Sequence, residues 1–234
     1  MLTRLLSCSL LLLAAAPLWA ADLAELRVSP SDVNLATALD RQGIVVQAVF
    51  ADGVAGADVM VVGEAPGREE DDRGKPFVGA AGGMHTRLTT RNGISREAHR
   101  HENVLRCVPK DFEIKPGWAE AAATHCRQYR AESFAKAKVI VAMGQTAIRE
   151  ALGLWNFSTD DVKVNNFHGT VHDRPDGSKV VCTFHPSYLQ RGALNMFGVV
   201  SFDLQVALEV ARGEYQPDPI ETVIDPPLDW FQGY

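Results

Sequence analysis

The chain of 234 residues is 46% hydrophobic and 22% charged, a composition typical of one sizeable globular domain. Its formal net charge of −6 argues against a protein that coats nucleic acid through bulk positive charge, although a local basic face is not excluded. None of the four cysteines forms a C-x-x-C pair, so the sequence predicts neither a zinc ribbon nor a thioredoxin-type site.

The first 21 residues, MLTRLLSCSLLLLAAAPLWAA, have the pattern of a secretory signal. Arg4 precedes an apolar run over 5–16 that is short for a membrane span, and Ala20 offers a small residue for cleavage. A wrongly assigned start codon or an ordinary apolar helix is the alternative. We expect an exported chain if the signal is real, and no membrane association once the signal is removed.

Beyond this segment, predicted strands alternate with predicted helices. The strands cover 45–50, 57–63, 102–108 and 138–144, and two more lie on either side of a turn within 162–184. The helices cover 82–93, 118–137, 145–153 and about 195–212. The alternation predicts an α/β domain over 22–213, with a mainly parallel central sheet and a ligand site at the carboxyl ends of its strands. The proline-rich tail, 214–234, is predicted to be irregular.

The stretch GEAPGREEDDRGKPFVG, residues 63–79, has the glycines of a phosphate-binding loop but is strongly acidic. It is not a Walker A loop, because Pro76 stands where Ser or Thr must follow Gly74-Lys75. It also lacks the G-x-G-x-x-G spacing of a dinucleotide site and the alternating carboxylates of an EF-hand. By elimination alone, the run EEDD would be a solvated acidic turn.

Two distant segments change this interpretation. The pattern GEAPG-x-x-ED-x-x-G-x-PFVG-x-AG covers 63–82, ENVLRC covers 102–107, and FHPSYLQR covers 184–191. In this order, the three motifs resemble those of the uracil-DNA glycosylase superfamily, and most closely its iron–sulfur (family 4) branch. The resemblance extends over roughly residues 30–212.

The resemblance implies a three-layer α/β/α fold with a mainly parallel central sheet. It also implies a monomeric hydrolase that removes uracil from single- or double-stranded DNA in base excision repair and leaves an abasic site. The target nucleotide would flip out of the helix stack into a tight pocket. The residues that define the three motifs include no lysine to form a Schiff base, since Lys75 stands at a variable position, so we expect a glycosylase that does not cleave the strand.

The resemblance also assigns roles to the motif residues. Glu64 is expected to position water and stabilise the electron-poor sugar, while His185 is expected to donate a hydrogen bond to the uracil carbonyl oxygen. Phe77 would stack on uracil, and the Asn103 amide, which both donates and accepts, would bind the edge of the base. The residues Glu70-Asp71 are expected to hold the loop in shape.

Further motif residues are expected to contact the substrate more peripherally. Ala65 and Gly67 would approach the substrate through their backbone, and Ser187 and Arg191 would hold phosphate. Leu189 would either wedge into the gap left by the flipped base or belong to the core.

The sequence departs from the family at the cluster that the iron–sulfur branch holds on four cysteines. Cys107 and Cys126 match two of these ligands, but Pro30 and Val33 stand where the other two are expected. Cys182 lies on a predicted strand and is expected in the core. We therefore expect no intact cluster, and Cys107 and Cys126 are either relics or, in an exported chain, a disulfide pair.

No site role is expected for two histidines outside the three motifs. His85 replaces a leucine expected from the family and is predicted to be a half-exposed helix residue, and His101 is predicted to lie at the surface. Two alternative functions stay open: a DNA-binding module that has lost turnover, and a glycosylase for another deaminated base such as hypoxanthine. The Phe77/Asn103 pair favours uracil. Repair of genomic uracil would place the protein in the cytoplasm, in conflict with the signal-like N-terminus.

Overall fold

The computed structural model describes residues 51–109, 114 and 118–217. The signal-like segment 1–21, the predicted strand 45–50 and the tail beyond residue 217 lie outside the described residues. The domain boundaries drawn from the sequence therefore stay predictions.

The centre of the described part is one sheet. Its strands are β1 (Asp52–Gly53), β2 (Val59–Gly63), β3 (Arg100–Asn103), β4 (Val139–Met143), β5 (Val171–Asp173) and β6 (Lys179–Thr183). Within the described residues these six strands are ordered β1-β3-β2-β4-β6-β5. The four central strands are parallel, and the short edge strands β1 and β5 are antiparallel to their neighbours. This confirms the predicted α/β class and the mainly parallel sheet.

Helices connect and cover the strands. They are α1 (Arg68–Arg73), α2 (Ala80–Arg91), α3 (Trp118–Lys136), α4 (Gln145–Leu152), α5 (Val164–Phe167), α6 (Pro186–Gln190) and α7 (Phe197–Arg212). The four predicted helices are found within a few residues of their expected bounds. The sequence does not predict the short helices α1, α5 and α6, because four to six residues are too few to show the hydrophobic periodicity of a helix. The first strand predicted within 162–184 is wrong in part, since α5 occupies its beginning.

Two apolar clusters lie on opposite faces of the sheet. Alternate strand residues point to opposite faces, so Val61 and Val141 pack on the side of α2 and α7, whereas Val62 and Ile140 pack on the side of α3 and α4. This arrangement is the expected three-layer fold. In the described part, the segment Leu194–Arg212 has the length and apolar composition that a membrane span requires, but much of its apolar surface is packed on the sheet as in a core helix.

A buried ion pair fixes α3 against α4 and against the end of β3. Arg130 is 2% exposed, and its Nη2 lies 2.6 Å from Oε1 of Glu150. The same guanidinium donates to the carbonyl oxygens of Val104, at 2.6 Å, and Ala123, at 3.1 Å. Burial alone would raise the pKa of Glu150, but Arg127 and Arg130 together lower it below its usual value. The pair is therefore ionised and fully hydrogen-bonded, as a buried pair must be.

Arg130→Met is expected to lower the free energy of unfolding by about 3 kcal/mol, because it leaves the Glu150 carboxylate buried with one of its charge partners gone. The matched control is Arg127→Met, since Arg127 contacts the same carboxylate at 2.8 Å but its side chain is 46% exposed. Because Arg127 is half exposed and is hydrated when unpaired, while Arg130 still balances the carboxylate, the loss of Arg127 should cost less than about 1 kcal/mol. Urea denaturation of both variants measures the difference, and equal losses would contradict the structural role assigned to Arg130.

Candidate active site

A cavity of about 400 Å³ opens at the carboxyl ends of β2, β3 and β6. Eight of the residues expected from the sequence to form the site line it: Glu64, Ala65, Gly67, Phe77, Asn103, His185, Ser187 and Arg191. They come from three distant segments, which the parallel sheet brings to one edge. The structure therefore assembles the three motifs into one cavity of the size that holds a small planar molecule.

The acidic loop is organised around Glu70. This side chain is 9% exposed, and its Oε1 accepts hydrogen bonds from the backbone N–H groups of Val78, at 2.9 Å, and Gly79, at 2.6 Å. Its Oε2 accepts from the N–H of Gly67 at 3.1 Å. The run EEDD is thus part of helix α1 with one carboxylate turned inward, and the solvated turn expected by elimination is wrong. The expectation that Glu70 holds the loop in shape is confirmed.

Glu64 follows β2 directly and lines the cavity. Thr146, at the start of α4, donates its hydroxyl to Oε1 of Glu64 at 3.0 Å. Burial raises the pKa of Glu64 above its usual value, while the Thr146 hydrogen bond and the positive charge of Arg191 oppose this rise. A carboxylate whose pKa is raised by burial is a stronger base than an exposed one, and in its ionised form it can stabilise a nearby positive charge. Sequence reasoning missed Thr146, although its place after β4 puts it at the same sheet edge.

Phe77 and Asn103 share a narrow space above Gly63. A Cβ atom on Gly63 would lie 2.6 Å from Oδ1 of Asn103 and 2.7 Å from Cζ of Phe77, so only glycine permits both side chains here. Asn103 ends β3 and is 5% exposed, and Phe77 is 6% exposed. An aromatic side chain and an amide thus border the same cavity, and together they can recognise a flat ring with a hydrogen-bonding edge.

The hydrogen bonds of His185 fix the position of its proton. Nδ1 accepts from the backbone N–H of Ser187 at 3.2 Å and lies 2.8 Å from the Ser187 hydroxyl, which in turn accepts from Arg191 at 3.1 Å. Because a backbone N–H can only donate, Nδ1 is the acceptor and the neutral ring carries its proton on Nε2. Burial, with the nearby charge of Arg191, lowers the pKa of His185 to about 4. The cavity wall therefore holds a neutral imidazole with Nε2–H as its donor.

Three sequence expectations are corrected. Leu189, on α6, is fully buried in the core, so it is not the exposed side chain that a DNA wedge requires, and the core alternative is correct. His85 is 1% exposed and His101 is 0% exposed, so neither is a surface residue. The rings of His85 and His101 contact each other edge-on, with centroids 5.0 Å apart. Sequence reasoning placed them outside because histidine is polar, but their pKa values are lowered by burial and both rings are neutral.

The three cysteines that the structure describes do not by themselves supply the ligands of a four-iron cluster. Cys107 and Cys126 are unbonded, and burial together with the neighbouring Cys126 raises the pKa of Cys107. Cys182 is 0% exposed in β6, where burial raises its pKa to about 12. Among the residues that the structure describes, no three His, Cys, Asp or Glu side chains converge as a metal site would require. Two thiols supply half of the thiolates that such a cluster needs, so no chemical step is assigned to it.

Comparison with known proteins agrees with this geometry. The family model of the uracil DNA glycosylase superfamily matches residues 50–204. A type-4 uracil-DNA glycosylase of Thermotoga maritima is 37% identical over 169 residues, which cover 71% of this chain and 84% of the relative. The type-4 enzyme of Pyrobaculum aerophilum is 34% identical over 151 residues, 62% of this chain and 74% of the relative. That of Archaeoglobus fulgidus is 33% identical over 136 residues, 56% of this chain and 66% of the relative.

The tautomer of His185 can be measured directly. Nitrogen NMR of the labelled protein is expected to show a neutral His185 ring with its proton on Nε2 from pH 8 down to pH 5.5, because the pKa lies at about 4. His185→Gln identifies the signal. Protonation of this ring near pH 6.5, or a proton on Nδ1, would show that the hydrogen bond from Ser187 does not set the tautomer.

Proposed function

Because the chain belongs to the uracil DNA glycosylase superfamily, we propose that it hydrolyses the N-glycosidic bond of uracil in DNA and leaves an abasic site. The observation that carries this proposal is the convergence of Glu64, Phe77, Asn103 and His185 on one cavity. The family 4 branch expected from the sequence agrees with the type-4 relatives. We propose further that the protein acts as a monomer on single- or double-stranded DNA in the cytoplasm, after the uracil has flipped out of its stack.

Recognition of the base would fall to Phe77 and Asn103. Phe77 offers its ring to the face of uracil. The Asn103 carbonyl can accept from the N3–H of uracil while its NH₂ donates to the O4 oxygen. Cytosine presents the opposite pair of groups at these positions, an acceptor at N3 and a donor at N4, so the same amide orientation would leave both contacts unmade. The Asn103 amide in this orientation therefore favours uracil over bases that lack the N3–H donor and the O4 acceptor.

Cleavage would separate two developing charges. As the bond between the sugar C1′ and uracil N1 breaks, its electron pair leaves with uracil, and positive charge develops on the sugar. Glu64 would stabilise that positive charge and orient a water molecule, whose oxygen bonds to C1′ and whose proton passes to the carboxylate. His185 would donate its Nε2–H to a uracil carbonyl oxygen as negative charge grows there. The hydrogen bond from His185 is stronger to the uracil anion than to the uncharged base. It therefore strengthens as the reaction proceeds and stabilises the transition state more than the bound substrate.

The proposal predicts that the purified chain releases uracil from a labelled single-stranded oligonucleotide under single-turnover conditions. Glu64→Gln and Asn103→Ala should each slow release by about 100-fold or more, since each removes a group that acts on the reacting base or sugar. Glu132→Gln is the control, because Glu132 carries a carboxylate that is 80% exposed on α3. Alkaline cleavage of the abasic product provides the readout.

Two other outcomes have distinct meanings. Tight binding of the oligonucleotide without release would refute hydrolysis and leave a recognition module, the alternative that the changed cysteines suggest. Release of hypoxanthine in place of uracil would assign the pocket to a different deaminated base.

The hydroxyl of Thr146 should set the acid limit of activity. Its hydrogen bond lowers the pKa of Glu64, so Thr146→Val should raise that pKa further. Because Glu64 must be ionised to act, the rate of the variant should begin to fall at a higher pH than the wild-type rate, with similar rates well above that limit. Thr146→Ser keeps the hydroxyl and should retain the wild-type profile. A Val variant whose acid limb does not move would exclude Glu64 as the titrating group.

A further inference from the structure

Phe77 has an unusual backbone. With φ at 55°, it is the one non-glycine residue in the described part of the chain that adopts a positive φ. A bulky side chain is disfavoured in this left-handed region because its Cβ crowds the neighbouring carbonyl oxygen. Such a conformation persists only where the surrounding structure holds it, and it is found most often at functional sites.

Arg96 contacts the backbone at this point. Its Nη1 donates to the carbonyl oxygen of Phe77 at 3.1 Å, and its Nη2 donates to the carbonyl oxygen of Pro76. Its Nε donates to Oδ2 of Asp52 at 2.6 Å, and the side chain is 25% exposed. Asp52 belongs to β1, which pairs with β3, the strand that ends in Asn103. The planar Arg96 guanidinium, whose donors have a fixed geometry, thus connects the adjacent carbonyl groups of Pro76 and Phe77 to the sheet through Asp52.

The ring of Phe77 is held by contacts other than those that hold its backbone. His85 stacks on it, with centroids 4.3 Å apart and planes inclined by 27°. Helix α2 also approaches closely, since a Cβ on Gly82 would lie 2.1 Å from the Phe77 carbonyl oxygen. That oxygen is therefore confined between α2 and the Arg96 guanidinium. Neither Arg96 nor His85 is among the residues that line the cavity.

We propose that Arg96, held by Asp52, is a positioning residue that keeps Phe77 in its left-handed conformation and so sets the plane on which the base stacks. The inference rests on the proposed function, because it concerns the stacking face of the same cavity. Without Arg96, residue 77 can relax toward negative φ, and the ring would move relative to Asn103 and His185. Catalytic geometry is sensitive to such movement, and a displacement of about 1 Å can cost about 100-fold in rate.

A double-mutant cycle tests whether Arg96 acts through Phe77. Arg96→Met should slow single-turnover uracil release by about 10- to 100-fold. In the Phe77→Ala background the same change should have no further effect, because the ring that it positions is gone. Arg96→Lys keeps the charge and one donor and should restore part of the rate. The control is Arg174→Met, because Arg174 is 20% exposed and pairs with Asp176 at 2.8 Å in a turn remote from the cavity.

A second measurement does not depend on activity. With 4-fluorophenylalanine incorporated at position 77, Arg96→Met and Asp52→Asn should each shift or broaden the fluorine resonance, while Arg174→Met should leave it unchanged. Thermal unfolding of all variants identifies a temperature at which each is folded, so a changed resonance reports the ring and not loss of the fold.

The outcomes separate the inference from the proposed function. A wild-type protein that releases no uracil would refute the proposed function, whereas the fluorine resonance would still decide whether Arg96 holds the ring. An unchanged resonance in Arg96→Met would overturn the inference. So would an equal rate loss from Arg96→Met with and without the Phe77 ring, since Arg96 would then act on some other group.

Discussion

The site depends on one buried carboxylate in its glycine-rich loop. Glu70 occupies the cluster of backbone N–H groups at Gly67, Val78 and Gly79, where a phosphate-binding loop would bind its ligand. This explains how a loop with such glycines can be acidic: the anion that its N–H groups bind belongs to the chain itself. Because the contacts join both ends of the loop, they also set the separation between Glu64 at its start and Phe77 near its end.

A single cation tunes the two groups to which catalysis is assigned. Arg191 lies close enough to lower the pKa of both Glu64 and His185. For the carboxylate this opposes the effect of burial and favours the ionised form, while for the imidazole it adds to burial and favours the neutral form. Hydrolysis of a glycosidic bond needs this pair of states near neutral pH: an anion beside the sugar and a neutral donor beside the leaving base. The same arginine also donates to Ser187, which hydrogen-bonds to His185, so charge and geometry are set together.

Much of this site could be predicted from the sequence, because strong apolar strands such as 57–63 and 138–144 fix the sheet and its carboxyl edge. The roles of the motif residues then come from the resemblance to the uracil-DNA glycosylase superfamily, and the positions of these residues after those strands agree with it. Residues whose importance depends on a contact made only in the folded chain could not be predicted. Thr146 meets Glu64 across 82 residues of sequence, and Arg96 meets Phe77 across 19. His85 was misjudged for a similar reason, since nothing local shows that α2 turns this polar ring against Phe77.

The position of Asn103 is set by hydrogen bonds within the protein. The N–H of Val104 donates to the Gly63 carbonyl and that of Leu105 to the Glu64 carbonyl, both at 2.9 Å, so the pairing with the β2 segment continues past the end of β3. The Val104 carbonyl accepts from Arg130, whose charge is balanced by Glu150. Asn103 is therefore held between the end of β2 on one side and helix α3 on the other. Cys107 follows Leu105 in the same loop, and Cys126 precedes Arg130 on α3, so the hydrogen bonds and the buried ion pair connect the two segments that carry these cysteines. The position of the Asn103 amide at the edge of the cavity thus follows from these hydrogen bonds and from the buried ion pair behind them.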